Sequence, residues 1–307
     1  MTTAAIVLAA GRGTRFRSDL AKVLHPVAGR TMLRWVLEAL RPLGLDRVVV
    51  VVGHQADAVR AEAQAAGLPG LATVVQHEQL GTGHAVRVAV EAGAIEGTET
   101  VLVLPGDVPL MTSAALVGLL DEHAGRAVTL LSAELDDPTG YGRVLRGADG
   151  GVERVVEQRD ASDAERAVAE INSSIYAFAT APLAAALRRL TTANDQGEEY
   201  LTDVVAPLAG SAGGAGAVVV DPEIVAGAND RAQLAELGAV LRRRIVTAHA
   251  RDGVTVVDPA TTYIDAEVVC EPDAVLLPGT HLEGSTRVAG GATIGPDCRL
   301  IDTEVET

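Results

Sequence analysis

Hydrophobic positions in the first half of the chain fall into short unbroken runs, separated by stretches with helical spacing. Ala4–Ala10 predicts a buried strand that ends in a glycine-rich turn. Met32–Leu43 carries Leu33, Val36, Leu37 and Leu40 on one face, the spacing of an amphipathic helix. Arg47–Val52 is an arginine followed by five valines and predicts a second buried strand. Gly83–Ala92 predicts a helix, and Val101–Leu104 a strand that ends at Pro105-Gly106-Asp107. Unbroken apolar strands alternating with helices predict an α/β fold with a doubly wound, Rossmann-like parallel sheet. Only strands covered on both faces are apolar throughout. Ligands of such sheets bind beyond the carboxyl ends of the strands, where the glycine-rich turn and Asp107 both fall.

The pattern then changes. Ala209–Ala217 consists of Ala, Gly and Ser alone and predicts a loop. Arg231–Ala250 has the composition of a long helix, a connecting arm. Ile264, Cys270, Leu276, Leu282, Val288, Ile294 and Leu300 recur every six residues. Four positions after the first six of them stand Val268, Ala274, Thr280, Thr286, Ala292 and Cys298, all small or β-branched. This hexapeptide pattern predicts a left-handed parallel β-helix, with the large aliphatic filling a corner and the small residue letting the next coil pass. The expected organisation is a catalytic domain over 1–230, a helical arm over 231–252 and a β-helix over 253–307. At three hexads per coil, about two coils fit before Thr307.

Composition narrows the chemistry. Forty-one acidic residues against 25 Lys and Arg leave a formal net charge of −16, which disfavours nucleic acid and anionic membranes as partners. Cys270 and Cys298 are too few for a disulfide scaffold or a Cys-rich zinc site, and both lie on the hexad grid as core residues. The first residues lack the charged start and long apolar run of a signal peptide, and no apolar run approaches the ~18 residues of a membrane span. A cytoplasmic protein is expected.

The strongest local signal is Leu8-Ala-Ala-Gly-Arg-Gly-Thr-Arg15, followed by Lys22-Val-Leu-His25. A glycine-rich turn after a strand exposes backbone N–H groups to phosphate, and Arg12, Arg15 and Lys22 add positive charge. Two commoner phosphate motifs are excluded. Phe16 stands where the dinucleotide fingerprint needs its third glycine, and no Gly-Lys-Ser/Thr closes the loop. His25, His54, His77 and His84 read as structural or loop residues.

The order L-x(2)-G-x-G-T-R and K-x-L resembles the sugar nucleotidyltransferase superfamily. Further segments narrow the resemblance: Gln76-His-Glu-Gln-Leu-Gly-Thr-Gly-His-Ala85, Gly106-Asp-Val-Pro-Leu110, Asp137-Pro-Thr-Gly-Tyr-Gly-Arg143 and Val156-Glu-Gln-Arg-Asp-Ala161. Glu170-Ile-Asn172, Glu199-Tyr-Leu-Thr-Asp203 and Gly227-Ala-Asn-Asp-Arg231 complete the set. Together with the hexads they resemble the bacterial bifunctional N-acetylglucosamine-1-phosphate uridyltransferase/glucosamine-1-phosphate acetyltransferases over nearly the whole chain.

The resemblance implies Mg²⁺-dependent uridylyl transfer from UTP to N-acetylglucosamine 1-phosphate, giving UDP-N-acetylglucosamine for cell-wall precursors. It implies Arg15 and Lys22 as catalytic cations, and Asp107 and Asn229 as Mg²⁺ ligands. Leu8, Ala9, Ala10, Gly11, Gln76, Gly81 and Thr82 are implied on the uridine side. Gly142, Glu157, Asn172, Tyr200 and Thr202 are implied on the sugar side, with Asn229 also touching substrate. Three positions depart from the family pattern: Ala21 for proline, Ser174 for glycine and Asp230 for asparagine. Family members form homotrimers through the β-helix and transfer acetyl groups on its later coils with a histidine base. His281 does not match that base, so acetyl transfer is expected to be absent from this chain and trimer contact weakened. A hexose-1-phosphate uridylyl- or thymidylyltransferase, or a non-catalytic sugar-nucleotide scaffold, stays open as an alternative.

Overall fold

The Thr3–Ala9 strand lies inside a nine-stranded sheet in the computed structural model, which describes residues 2–307. It pairs in parallel with Arg47–Val52 on one side and Thr100–Pro105 on the other, and Leu71–Val75 extends the parallel set. Alternate residues of these strands enter different cores. Ala5, Val7, Val48 and Val50 face one, whereas Ala4, Ile6, Val49 and Val51 face the other. Both faces are covered, which is why the runs are apolar without interruption.

Beyond Thr100–Pro105 the sheet becomes mixed. Glu170–Ala179 runs antiparallel to both Thr100–Pro105 and Val128–Glu134. Arg143–Arg146 and Val152–Val156 form an antiparallel pair beside its first half. The Ala/Gly/Ser segment is not all loop. Ala215–Val219 forms an edge strand parallel to Val128–Glu134. Main-chain pairing to an open edge outweighs the weak strand preference of Ala and Gly. Gly216 also suits this position, because a Cβ there would meet the Arg126 side chain at 2.8 Å. The first long helix is shorter than its apolar spacing predicts. It spans Met32–Leu40, and a 3-10 turn at Arg41–Leu43 follows, with Pro42 inside it and Gly44 at φ +59° beyond.

Backbone contacts group residues 2–24 and 33–227 into one unit, and 25–32 and 228–307 into a second. In the second unit, Asp230 caps the Arg231–Arg251 helix by accepting a hydrogen bond from the Gln233 N–H at 2.9 Å. The acidic departure at this position thus meets the helix N-terminus, where a carboxylate is favoured. Three short parallel sheets follow, and strands stack at a spacing of one coil: Ile264 on Leu282 on Leu300, Cys270 on Val288, Leu276 on Ile294. The hexad residues from Ile264 to Ile294 are buried. The two buried threonines of the small series satisfy their hydroxyls locally, Thr280 Oγ1 donating to the Leu277 carbonyl and Thr286 Oγ1 to that of Glu283, each at 2.7 Å.

Candidate functional site: a cleft at the strand ends

The parallel strands deliver their carboxyl ends to one cleft of about 770 Å³. The Gly106 N–H donates to the Leu8 carbonyl at 2.9 Å, so the turn after Thr3–Ala9 and Asp107 are held side by side. Of the residues singled out by sequence, Leu8, Ala9, Ala10, Gly11, Arg15, Lys22, Gln76, Gly81, Thr82 and Asp107 all line this cleft. Gly13 sits at its turn with φ +59°, a conformation glycine adopts at low cost. A Cβ on it would lie 2.5 Å from Lys22 Cβ, so the turn and the lysine stem are packed in contact. Lys22 is ion-paired with Asp107, their side chains 17% and 20% exposed. The lining also includes Arg12, Gln79, Ser174 and Glu198. Three cations therefore face two carboxylates, a basic cleft in an acidic chain.

Lys22 is approached by a loop that ends in Ala21, which supplies a backbone donor that a proline there would lack. The Ala21 N–H donates to Gln55 Oε1 at 2.8 Å, and Gln55 Nε2 donates back to the Asp19 carbonyl. Gln55 thereby brackets Leu20, just ahead of Ala21 and Lys22.

On the opposite wall, Gln76 is buried, and its Nε2 donates to the Gly81 carbonyl at 3.2 Å and meets His84 Nδ1 at 3.0 Å. A carbonyl only accepts, which fixes the amide orientation and makes His84 Nδ1 the unprotonated nitrogen. Gln76 Oε1 is left as an acceptor.

Gly142, Glu157, Asn172 and Thr202 form a second group, outside the lining of that cleft. The Asn172 N–H donates to the Gly142 carbonyl at 2.9 Å, and Thr202 Oγ1 donates to Glu157 Oε1 at 3.0 Å. A Cβ on Gly142 would lie 3.5 Å from Glu157 Oε2, so the glycine leaves that face of the carboxyl open. Burial pushes the Glu157 carboxyl above its ordinary range, and Asp203, Asp160 and Glu198 push the same way against the Thr202 hydrogen bond. Tyr200 is buried, its hydroxyl accepting from Gln196 Nε2 at 2.8 Å. The two groups are stitched together. The Leu201 N–H donates to Thr82 Oγ1 at 3.1 Å, the Gly83 N–H to the Glu199 carbonyl at 2.8 Å, and the Ser174 N–H to Asn172 Oδ1 at 3.2 Å. Asn229 belongs to the second unit, where its N–H donates to Gln233 Oε1 at 2.7 Å.

Sequence reasoning missed Tyr141 as a neighbour of Asp107. Burial and then the Asp107 charge push its phenol upward. It also assigned no role to Gln79, inside a quoted motif, or to Glu198, which stands beside one.

A doubly wound sheet with a basic, glycine-turned cleft at its strand ends defines a nucleotide-handling transferase. The MobA-like NTP transferase domain matches residues 5–207, and the chain belongs to that family. It is 49% identical over 308 residues to the "Bifunctional protein GlmU" of Mycolicibacterium gilvum, covering 98% of this chain and 62% of that protein. The protein of the same name from Geobacter metallireducens is 50% identical over 296 residues, 95% of this chain and 61% of the relative. That from Streptomyces coelicolor is 48% identical over 309 residues, 99% and 64%. The chain thus spans about three-fifths of the length of these relatives. No helix among the described residues is long and apolar enough to cross a membrane.

Proposed function

We propose that this chain transfers a uridylyl group from UTP to N-acetylglucosamine 1-phosphate, releasing pyrophosphate and forming UDP-N-acetylglucosamine. The observation that carries the reading is the convergence of the Leu8–Arg15 turn, Lys22 and Asp107 in one cleft, walled by Gln76, Gly81 and Thr82. A phosphate oxygen of the sugar phosphate attacks the α-phosphorus in line, and pyrophosphate leaves from the opposite side. No covalent enzyme intermediate is needed, so catalysis reduces to positioning and charge neutralisation. The backbone N–H groups of the turn cradle the phosphates, and Arg15 and Lys22 offset the charge that develops on the leaving pyrophosphate. Gln76 Oε1 is an acceptor suited to the N3–H of uracil; cytosine offers no hydrogen at that position. Glu157, Asn172, Tyr200, Thr202 and the open face at Gly142 hold the sugar.

Nucleotidyltransferases of this family generally act with a divalent metal. Asp107 is a hard carboxylate donor at a strand end, and Gly227 keeps its surroundings open, a Cβ there lying 3.3 Å from the Asp107 carbonyl and 3.8 Å from Oδ1. No cluster of three or more His, Cys, Asp or Glu residues suited to a metal occurs among the described residues. One or two protein donors completed by phosphates and water is the pattern of Mg²⁺. In this reading Asp107 and Asn229 would hold Mg²⁺, whose charge would offset that of the phosphates. The reaction belongs in the cytoplasm, where UTP is available, and supplies cell-wall precursors. Self-association through the β-helix is expected on the same resemblance, and light scattering reads it.

The test is pyrophosphate release with UTP, CTP or ATP against N-acetylglucosamine 1-phosphate or glucose 1-phosphate. Turnover is expected to be highest for UTP with the N-acetylated sugar. Equal kcat/KM for glucose 1-phosphate overturns the sugar assignment, and no release with any pair overturns the activity.

A further inference from the structure

The Glu170–Ala179 strand carries an irregularity where it leaves its neighbour. It pairs with Thr100–Pro105 only from Tyr176 onward, so it separates from that strand close to the end that bears Asp107. Against Val128–Glu134, Phe178, Tyr176 and Asn172 pair with Val128, Leu130 and Ser132. Those three partners alternate along their strand and share a face, so Asn172 and Tyr176 share it too. The bulge inserts two residues between them and makes them successive neighbours on that face. It is built from the side chains of its own serines. Ser173 Oγ donates to the Leu131 carbonyl at 2.7 Å and accepts from the Ile175 N–H at 3.2 Å. Ser174 takes φ +63°, lines the cleft and gives its N–H to Asn172 Oδ1.

That last bond settles the Asn172 amide. A backbone N–H only donates, so the atom facing it is Oδ1, and Nδ2 points the other way with two hydrogens. Tyr176 is completely buried, and its ring stacks on Phe178 at 5.2 Å. Its hydroxyl lies towards the side chains of Asn172 and Glu157, and it meets the Asn172 amide only short of full hydrogen-bond geometry. A buried hydroxyl without a partner is costly, and such groups in a folded protein call for a reason. Burial and the Glu157 charge keep the phenol protonated, so it retains both a hydrogen to donate and lone pairs to accept.

We propose that Tyr176 is a positioning residue of the sugar subsite: its hydroxyl takes one Nδ2 hydrogen of Asn172 when substrate binds, so that the other is aimed at the N-acetyl carbonyl. The inference rests on the sugar assignment made above and deepens it. Ser174 N–H and Tyr176 Oη hold the amide from its two ends, and the substrate completes a set of bonds left open without it. Tyr176 acts through Asn172 and touches no reacting atom.

Tyr176→Phe removes the oxygen alone and keeps the stacked ring. The experiment measures KM for both sugar phosphates, KM for UTP and the melting temperature, in the variant and the wild type. KM for N-acetylglucosamine 1-phosphate is expected to rise about five- to tenfold, the worth of one amide hydrogen bond. KM for glucose 1-phosphate and for UTP is expected to change by less than about twofold, since neither presents the acetyl carbonyl. The melting temperature is expected to hold or rise, because an unsatisfied group has been removed. An unchanged KM for the N-acetylated sugar, in an assay where the wild type turns over, overturns this inference alone. So does a lower melting temperature with all KM values worsened together, the signature of a merely structural hydroxyl. A wild type that discriminates poorly between the two sugars overturns the sugar assignment and this inference with it.

Discussion

Gly13→Ala tests whether the cleft depends on the packing of its turn against Lys22. Gly13 has φ +59° and ψ 43°, and the added Cβ would stand 2.5, 3.2 and 3.3 Å from Lys22 Cβ, Cγ and Cδ. Carbon atoms settle at about 3.5–4.0 Å, so the base of the lysine side chain must retreat by roughly 1 Å. Cβ is not a flexible tip, and the retreat carries the backbone and the Lys22–Asp107 pair with it. A misplacement of about 1 Å in a reacting site costs about 10²-fold in rate. The left-handed conformation costs an alanine a further ~1–2 kcal/mol in stability. Gly44 separates the two effects. It has φ +59° and ψ 41°, and nothing lies within 4 Å of its Cβ position. Gly44→Ala should therefore lower the melting temperature by roughly 2–8 °C and leave turnover unchanged. Gly13→Ala should lower the melting temperature at least as much and reduce kcat/KM for UTP about 10²-fold. The assay is pyrophosphate release with N-acetylglucosamine 1-phosphate, beside thermal unfolding of both variants. If Gly13→Ala keeps kcat/KM within about threefold of Gly44→Ala, the contact with Lys22 does not position the cleft.

Other expectations follow from the same geometry. Arg15→Ala is expected to lower kcat by roughly 10²–10³, as for loss of one preorganised charge donor; a change confined to KM would assign Arg15 to ground-state binding. Burial raises the Glu157 carboxyl, so the folded protein holds that proton more tightly than the unfolded chain. The ionised form then costs stability at high pH, and the cost fades as pH falls towards the ordinary carboxylate range. Glu157→Gln should raise the melting temperature at pH 8, with the gain shrinking towards about pH 4, while KM for the sugar phosphate rises; a gain that grows on acidification contradicts this. Burial pushes the Cys270 thiol up to about 11, so it is protonated and shielded at pH 8. Iodoacetamide at that pH should spare Cys270 in the native protein and label it in urea, read by peptide mass spectrometry; equal labelling in both states contradicts its core placement.

Much of the fold was legible because it is written in local periodicity. The five-valine strand is found with its predicted limits at Arg47–Val52, and the hexads stack one coil apart. The end of the Met32–Leu40 helix was misjudged because apolar spacing ran on through Pro42. Ala215–Val219 was unreadable for another reason: its strand character comes from the open edge of Val128–Glu134, far away in sequence. The Leu8–Arg15 turn, Lys22 and Asp107 announced themselves by residue type at strand ends. The polar wiring did not. Gln55 bracing the loop before Lys22, the serine-stitched bulge and the Tyr176 hydroxyl set against Asn172 depend on contacts that only the folded chain brings together. Ala21 carries a backbone N–H that a proline would lack, and only the fold shows that Gln55 accepts from it.

The central claim is that the cleft bearing Asp107 joins a uridylyl group to an N-acetylated sugar phosphate. Phosphorus NMR of UTP and N-acetylglucosamine 1-phosphate with Mg²⁺ tests it directly, run with the wild type and with Asp107→Ala. The wild type is predicted to convert the UTP resonances into those of pyrophosphate and a UDP-sugar diester. Asp107→Ala, folded by its melting curve, is predicted to fall below about a tenth of that rate, since charge stabilisation at the phosphates is worth several kcal/mol. No diester from the wild type, or diester formed by Asp107→Ala at the wild-type rate, would contradict the account.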